Sequence, residues 1–246
     1  MTTALESRPG PPVRAARPLR VRLGLFAAIT ILAVSNVVSN RVWPEAYVPW
    51  NLGVALALLV VARWCGLSWA DLGLGRLRPR RGAVVGGVAF GSVAAIYLVG
   101  LALPATRELF ADDRAAGPLS GALFAALVRI PLGTVVLEEI AFRGVLPGLV
   151  GGSWWRSTLV SSALFGLWHV LPSMGLAGAN AGVGAAVGAW GMLAQTGLAV
   201  LFTFAAGVLL CAYRRWGGHL SAPMLAHAAT NSLGVLIAWA AVSTAV

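Results

Sequence analysis

The chain has 246 residues, of which 59% are hydrophobic and 11% charged, and its mean hydropathy is +0.83. A soluble domain would carry about one-quarter charged residues, so this composition excludes an ordinary soluble protein. The formal net charge is +10. The basic residues are all arginine and lie mostly between apolar runs, which is typical of headgroup contact and membrane orientation rather than of a nucleic-acid partner.

Several apolar runs approach the ~20 residues that cross a hydrocarbon core of ~30 Å. We therefore predict an all-α fold, a polytopic transmembrane helical bundle of about seven helices. Residues 1–22 are predicted to be a disordered basic tail, and residues 23–246 a transmembrane domain. The helices are expected at about 23–39, 47–64, 83–103, 119–146, 156–171, 190–213 and 220–241.

Two connections have distinctive compositions. Residues 66–81 are rich in Leu and Trp and then in Arg, which predicts an interfacial segment followed by a basic loop. Residues 175–188 are rich in Gly and Ala and are expected to form a re-entrant or loosely packed loop. Arginines concentrate in alternate connections, which favours a multi-pass protein of the cell membrane with its N-terminus in the cytoplasm and its C-terminus outside.

The stretch from Leu137 to Gly144 carries three charges inside an apolar helix. Charges at bilayer depth are costly and usually face a partner or a wet cavity. Glu139 and Arg143 are four residues apart and are expected to pair on one helix face, leaving Glu138 free to face something else. The stretch by itself is equally well explained as a structural ion-pair cluster.

Two further predicted helices carry polar side chains at a similar depth. Phe165 and His169 are four residues apart on the fifth helix, and His227 and Asn231 are four apart on the seventh. Counted from the proposed inner helix ends, the polar groups lie about 11 to 20 Å deep. A lone membrane histidine or asparagine is more often a packing residue, but two carboxylates, two imidazoles and an amide together are typical of an acid-base site.

The three motifs, EExxxR at 138–143, FxxxH at 165–169 and HxxxN at 227–231, resemble those of the CPBP family. This family comprises intramembrane proteases and bacteriocin-processing proteins and includes the type II CAAX prenyl endopeptidases. The resemblance covers roughly residues 67–236, and its protease core corresponds to about 119–241. It implies an intramembrane endopeptidase, with its active site inside the bundle, that hydrolyses a peptide bond near the cytoplasmic membrane face.

Each motif residue can be given a role in amide hydrolysis. Glu138, partly desolvated, would act as general base on a water molecule, which His169 would position or polarise. His227 and Asn231 would donate hydrogen bonds to the oxyanion. Glu139, Arg143 and Phe165 would support this geometry, with the Glu139–Arg143 pair holding the helix.

Zinc is the main alternative to metal-free catalysis. Glu138, His169 and His227 would supply the two imidazoles and one carboxylate of a catalytic zinc site. The HExxH signature of zincins is missing from the sequence, so we favour glutamate-activated water without a cofactor. Cys65 and Cys211 match no metal-binding spacing and are expected to be packing residues without a disulfide.

Two other functions compete with the protease hypothesis. One is a non-proteolytic membrane scaffold or bacteriocin-immunity protein of the same fold, in which the glutamates would be dispensable. The other is a proton-coupled or ion-coupled transporter, for which paired broken helices would be expected and none is evident. The expected partners are membrane lipid and a peptide or protein substrate. The substrate's identity, its prenylation and the oligomeric state are not readable from this sequence.

Overall fold

The computed structural model describes residues 13–76, 78–110, 112–174 and 176–243. The described chain is an all-helical bundle in which the only β-type contact is an isolated bridge between Asp112 and Asn180. We number its long helices α1 (Val13–Val37), α2 (Tyr47–Trp64), α3 (Pro79–Ala102), α4 (Leu119–Val150), α5 (Trp154–Trp168), α6 (Gly191–Gly217) and α7 (Ser221–Ser243).

Six stretches of the described chain are long and apolar enough to cross a membrane, and they correspond to α2, α3, α4, α6, α7 and the part of α1 from Pro18 onward. Helix α5 has 15 residues and spans only about 22 Å, so it falls short of the predicted seventh crossing. Large apolar side chains such as Phe26, Leu127 and Phe202 are exposed on the outside of the bundle. In a multi-pass membrane protein such side chains face lipid.

Several predicted boundaries need correction. Helix α1 begins at Val13, so residues 13–22 of the tail predicted for 1–22 are helical in the structure. Residues 1–12 lie outside the described residues. Helix α4 continues to Val150 instead of ending at 146. Helix α5 ends at Trp168, and His169 therefore lies at the end of the helix and not within it.

The connections gather at two ends of the bundle. At one end, the Leu220 amide donates to the Gly73 carbonyl at 2.8 Å, which joins the α2–α3 and α6–α7 connections. Gly218, with φ of 68°, ends α6 in the left-handed conformation and starts this turn. We call this end the arginine-rich face, since Arg76, Arg78, Arg80, Arg81, Arg156, Arg214 and Arg215 lie on its connections and nearest helix ends.

The opposite end is closed by the α3–α4 and α5–α6 connections. The α5–α6 connection contains short helices at Leu176–Ala179 and Ala181–Val187, where the sequence predicted a re-entrant or loosely packed loop. Asn180 donates from Nδ2 to the Leu109 carbonyl at 3.1 Å, so the two connections are joined. This end lies opposite the arginine-rich face.

The hydrophobic core surrounds the charged stretch of α4. Leu137, Ile140, Ala141 and Phe142 pack with residues of α1, α2 and α5 in one buried cluster. Small residues bring the neighbouring helices close, because a Cβ on Gly166 of α5 would lie 2.8 Å from the Val200 carbonyl of α6. The glutamates of α4 are therefore held at the centre of the bundle by closely packed helices.

Candidate active site

Glu138 is buried in the middle of the bundle, with 3% of its surface exposed. It belongs to a single α-helical turn, Val136–Glu139, that lies between two π-helical segments of α4. Its Oε1 accepts a hydrogen bond from Trp168 Nε1 at 2.9 Å. Its Oε2 is buried and has no hydrogen-bond partner among the described residues. One carboxylate oxygen is thus fixed and the other is available to a reactant.

Glu139 binds two partners through a single oxygen. Its Oε1 accepts from the Arg143 guanidinium at 3.0 Å, which confirms the predicted pair, and from His227 Nδ1 at 2.7 Å. Glu139 is fully buried and Arg143 nearly so. Glu139 therefore pairs with Arg143 on α4 and also orients the His227 imidazole on α7. The spacing of the motifs did not predict the contact between Glu139 and His227.

The hydrogen bonds of His227 identify its tautomer. A carboxylate only accepts, so Nδ1 carries the proton that is donated to Glu139. Asn231 Nδ2 lies 3.2 Å from Nε2 and donates to it. Nε2 is also 3.7 Å from the free Oε2 of Glu138. In this state Nε2 of His227 carries an electron pair, and it becomes an N–H donor only when it is protonated.

Asn231 lies in a π-helical turn, Ala229–Leu233, within α7. Single π-turns inside α-helices frequently mark functional sites. The amide oxygen of Asn231 accepts from the Thr230 hydroxyl at 3.3 Å, and one of its two N–H groups faces His227. The second N–H has no partner within the described part of the chain, so it remains available to a bound oxygen.

His169 lies where α5 breaks, with φ −86° and ψ 1°. Its backbone amide bonds to the Gly166 carbonyl at 3.0 Å, one residue short of the α-helical partner. The Phe165 carbonyl released by this shift accepts from the ring Nδ1 of His169 at 2.8 Å. The Nε2 of a neutral His169 then carries the lone pair. Among the described residues, no hydrogen bond or ion pair joins His169 to Glu138.

The Phe165 ring connects the members of the site. It lies edge-on to the His169 ring at 4.6 Å and to the His227 ring at 6.2 Å between centroids. The guanidinium carbon of Arg143 lies 4.0 Å from its centroid, a cation–π distance. Both imidazoles therefore contact one aromatic ring, which sets their separation from each other.

The site has an unbalanced charge. Glu138 and Glu139 carry two negative charges, and Arg143 carries the positive charge paired with them. With His227 neutral, one negative charge remains in a buried environment, where an uncompensated charge is costly. One proton shared between Glu138 and His227 would neutralise the cluster. With His227 neutral, Glu138 is therefore the carboxylate of the site without a cationic partner among the described residues.

The comparisons with known proteins agree with the motifs. Residues 120–233 match the family model described as Type II CAAX prenyl endopeptidase Rce1-like. The segment is an Rce1-like domain. It contains all three motifs, and its family is a protease family. No curated protein and no solved structure matches the chain. The resemblance at residues 67–119 lies outside the match and stays a prediction.

The Rce1-like domain brings five of the seven predicted site residues into one polar cluster. Phe165 packs against this cluster, and His169 reaches it through the Phe165 ring. The members joined by hydrogen bonds or close ion-pair distances are Glu138, Glu139, Arg143, His227 and Asn231.

The zinc alternative requires three metal ligands close together. Among the described residues, no three His, Cys, Asp or Glu side chains are grouped so that they could hold a metal ion. His227 and His169 each donate Nδ1–H to an oxygen acceptor, which leaves the Nε2 of each ring free to bind a metal ion. Zinc held by Glu138, His169 and His227 therefore stays an alternative to metal-free catalysis. Cys65 and Cys211 are both free and buried.

Sequence reasoning missed two members of the site. Trp168 is the donor to Glu138, and its backbone carbonyl accepts from Asn36 Nδ2 of α1 at 2.9 Å. Both carried a signal: a buried indole N–H needs an acceptor, and Ser35, Asn36, Ser39 and Asn40 are polar residues at the end of the first apolar run. The first helix thus contributes to a site that the motifs assign to later helices.

Proposed function

We propose that the protein is an intramembrane endopeptidase that hydrolyses a peptide bond near the arginine-rich face, with water activated by Glu138. The observation that carries the proposal is the free Oε2 of Glu138, which is buried and lies 3.7 Å from His227 Nε2. A carboxylate with one anchored oxygen and one unpartnered oxygen, in a domain of a protease family, suits a general base.

The proposed reaction begins with proton transfer from water to Oε2 of Glu138. The resulting hydroxide attacks the scissile carbonyl carbon and forms a tetrahedral oxyanion. The second N–H of Asn231 donates to this oxyanion, and His227 does so when its Nε2 carries the shared proton. The proton held by the Glu138 and His227 pair is finally delivered to the leaving amine, so the site returns to its starting charge.

His169 is proposed to position the attacking water. Its Nδ1 is committed to the Phe165 carbonyl, so the remaining Nε2 is the atom that would accept a hydrogen bond from water. Its contact with the Phe165 ring fixes the plane of the imidazole. This role needs no metal ion.

The substrate class follows from the family resemblance alone. A CAAX-type substrate is a protein or peptide with a C-terminal prenylated cysteine motif, whose lipid would hold it at the membrane. We propose such a membrane-held peptide as the substrate class, and the arginine-rich face, predicted to be cytoplasmic, as the side from which it enters.

The test uses the full-length protein reconstituted in liposomes with fluorogenic CAAX peptides, farnesylated and unfarnesylated. We expect cleavage by the wild type and a loss of about 10²–10⁴-fold in kcat for Glu138→Gln, the usual contribution of a general base. Glu45→Gln, at an exposed acid in the α1–α2 connection, is the control and should keep wild-type activity. Wild-type rates in Glu138→Gln would contradict the proposal and favour the scaffold or immunity alternative.

A further inference from the structure

A cavity lies beside the proposed active site, where the bundle meets the arginine-rich face. It is a cleft of about 480 Å³ between the N-terminal end of α5, the C-terminal ends of α4 and α6, and the α2–α3 connection. Its apolar walls include Leu67 and Pro147, and its basic residues are Arg143, Arg214 and Arg215. The proposed reaction uses only Arg143, through Glu139.

The guanidinium groups of the cleft have unused donors. The Arg143 side chain is only 1% exposed. Its Nε and one terminal nitrogen are buried without a hydrogen-bond partner among the described residues. Nε of Arg214 is also buried without one. Buried charged donors normally find a partner, and a guanidinium has five N–H groups suited to planar oxyanions. These arginines are arranged as they would be around an anion that contributes the missing acceptors.

The residues that line the cleft have a net positive charge, which an anion would neutralise. The charge of Arg143 is offset by Glu139. The lining also includes Arg214, Arg215 and one acid, Asp71, so one positive charge is in excess. Asp71 Oδ2 accepts from the amide and the hydroxyl of Ser68 at 2.8 and 2.7 Å, which directs this oxygen to its own turn.

Aromatic residues place the cleft at the level of lipid headgroups. Arg215 lies over the Trp154 ring at 4.8 Å, and Trp155 and Trp216 next to them are exposed. Tryptophans of this kind are enriched at the membrane–water interface, and basic pockets between transmembrane helices bind anionic headgroups.

We propose that this cleft binds the phosphate group of an anionic phospholipid. The phosphate oxygens accept hydrogen bonds from Arg214 and from the free N–H groups of Arg143, and Arg215 with Trp154 closes the rim. The first carbons of the acyl chains lie against the apolar wall of Leu67 and Pro147, which favours a lipid over a free anion. Because Arg143 contacts both the phosphate and Glu139, the headgroup site adjoins the acid–base cluster without sharing its reactive atoms.

The test is native mass spectrometry of the full-length protein in detergent, with phosphatidylglycerol, phosphatidylcholine or inorganic phosphate added. We expect the wild type to retain one phosphatidylglycerol in preference to phosphatidylcholine. The double variant Arg214→Gln/Arg215→Gln should bind it about tenfold more weakly or worse, because it removes two of the three arginines that line the cleft. The control Arg80→Gln/Arg81→Gln, two exposed arginines of the same face outside the cleft, should bind as the wild type does.

Three results would overturn the proposal. They are equal retention of phosphatidylcholine by the wild type, unchanged phosphatidylglycerol binding in the Arg214/Arg215 variant, and binding of inorganic phosphate alone. If that variant keeps its lipid but no longer cleaves peptides with a free C-terminal carboxylate, the cleft is a peptide site instead. The wild-type preference needs no variant, so it tests the proposal even if the double variant fails to fold.

Discussion

Trp168 donates its indole N–H to the Oε1 of Glu138 across 2.9 Å, from the last residue of α5 to the centre of α4. This bond fixes the plane of the carboxylate and determines which of its oxygens is free. The proposed base is therefore oriented by a residue from another helix, immediately before the motif histidine.

Replacing Trp168 by Phe tests this orientation. The change keeps an aromatic ring but removes the N–H, and a hydrogen bond to a charged group contributes about 1.5–3 kcal/mol. We expect kcat to fall by about 10- to 100-fold while the protein remains folded. The measurement is peptide cleavage in liposomes, with Trp155→Phe at an exposed position as the control. Unchanged kcat in Trp168→Phe would show that the bond does not orient the base.

The buried pair Glu139–Arg143 gives a stability prediction. Arg143→Leu leaves Glu139 buried with only His227 to offset it, and removing one partner of a buried pair costs about 3–5 kcal/mol. The double variant Glu139→Leu/Arg143→Leu should be destabilised by less than the sum of the two single variants. Equilibrium unfolding in mixed detergent measures both effects.

The exposed ion pair Arg114–Asp112 is the matched control for that cycle, since the Arg114 side chain is 56% exposed. Exposed pairs contribute about 0–1 kcal/mol, so Arg114→Leu should change stability little. Strict additivity of the Glu139 and Arg143 variants would mean that their charges are not coupled, contrary to the 3.0 Å contact.

His219 gives a pH prediction outside the spanning helices. The Ser221 amide donates to its Nδ1 at 3.1 Å, at the start of α7, so the bonded form has an unprotonated Nδ1. Burial and the nearby charge of Arg214 lower the pKa of His219. Its stabilising contribution is thus present above the unfolded pKa of about 6.5 and is lost as the pH falls through the lower folded pKa.

The corresponding experiment is a series of thermal unfolding curves from pH 8 to pH 5 for the wild type and His219→Gln. We expect the wild type to lose more Tm than the variant as the pH falls. The difference between the two proteins isolates the contribution of His219, because all other ionisable groups are present in both. A larger loss of Tm in His219→Gln than in the wild type would contradict this prediction.

Metal removal distinguishes the two catalytic alternatives. If Glu138 activates water without a metal, treatment with 1,10-phenanthroline should leave the cleavage rate unchanged, and purified active protein should hold less than one zinc per chain. Loss of activity on chelation that is restored by added Zn²⁺ would instead support the alternative ligands Glu138, His169 and His227. A zinc-dependent peptidase treated in parallel verifies that the chelator is effective.

Much of the architecture was predictable because it depends on length and hydrophobicity. The bounds predicted for the second helix, 47–64, agree with α2, and the pair Glu139–Arg143 follows from four-residue spacing on a helix. The contact between Glu139 and His227 joins residues far apart in sequence. No local pattern specifies such a contact, because it depends on how α4 and α7 pack.

The end of α5 could not be predicted from the hydrophobic pattern of the sequence. Apolar residues continue past His169 to Leu171, so periodicity extends the helix through the histidine. The structure breaks it there, and the released Phe165 carbonyl is taken by the ring of His169. Hydrophobicity carries no information about which backbone carbonyl a side chain will occupy, so the orientation of this imidazole could not be read from the pattern.

The bond from Asn36 of α1 to the Trp168 carbonyl limits how far the protein can be shortened. The family match starts at residue 120, and a truncated polypeptide designed on that boundary would keep every motif yet lose the amide that ties down the tryptophan beside the base. We expect such a fragment to hold the Glu138 carboxylate less rigidly than the full-length protein does. Trimming, fusion or epitope tagging should therefore spare the first helix.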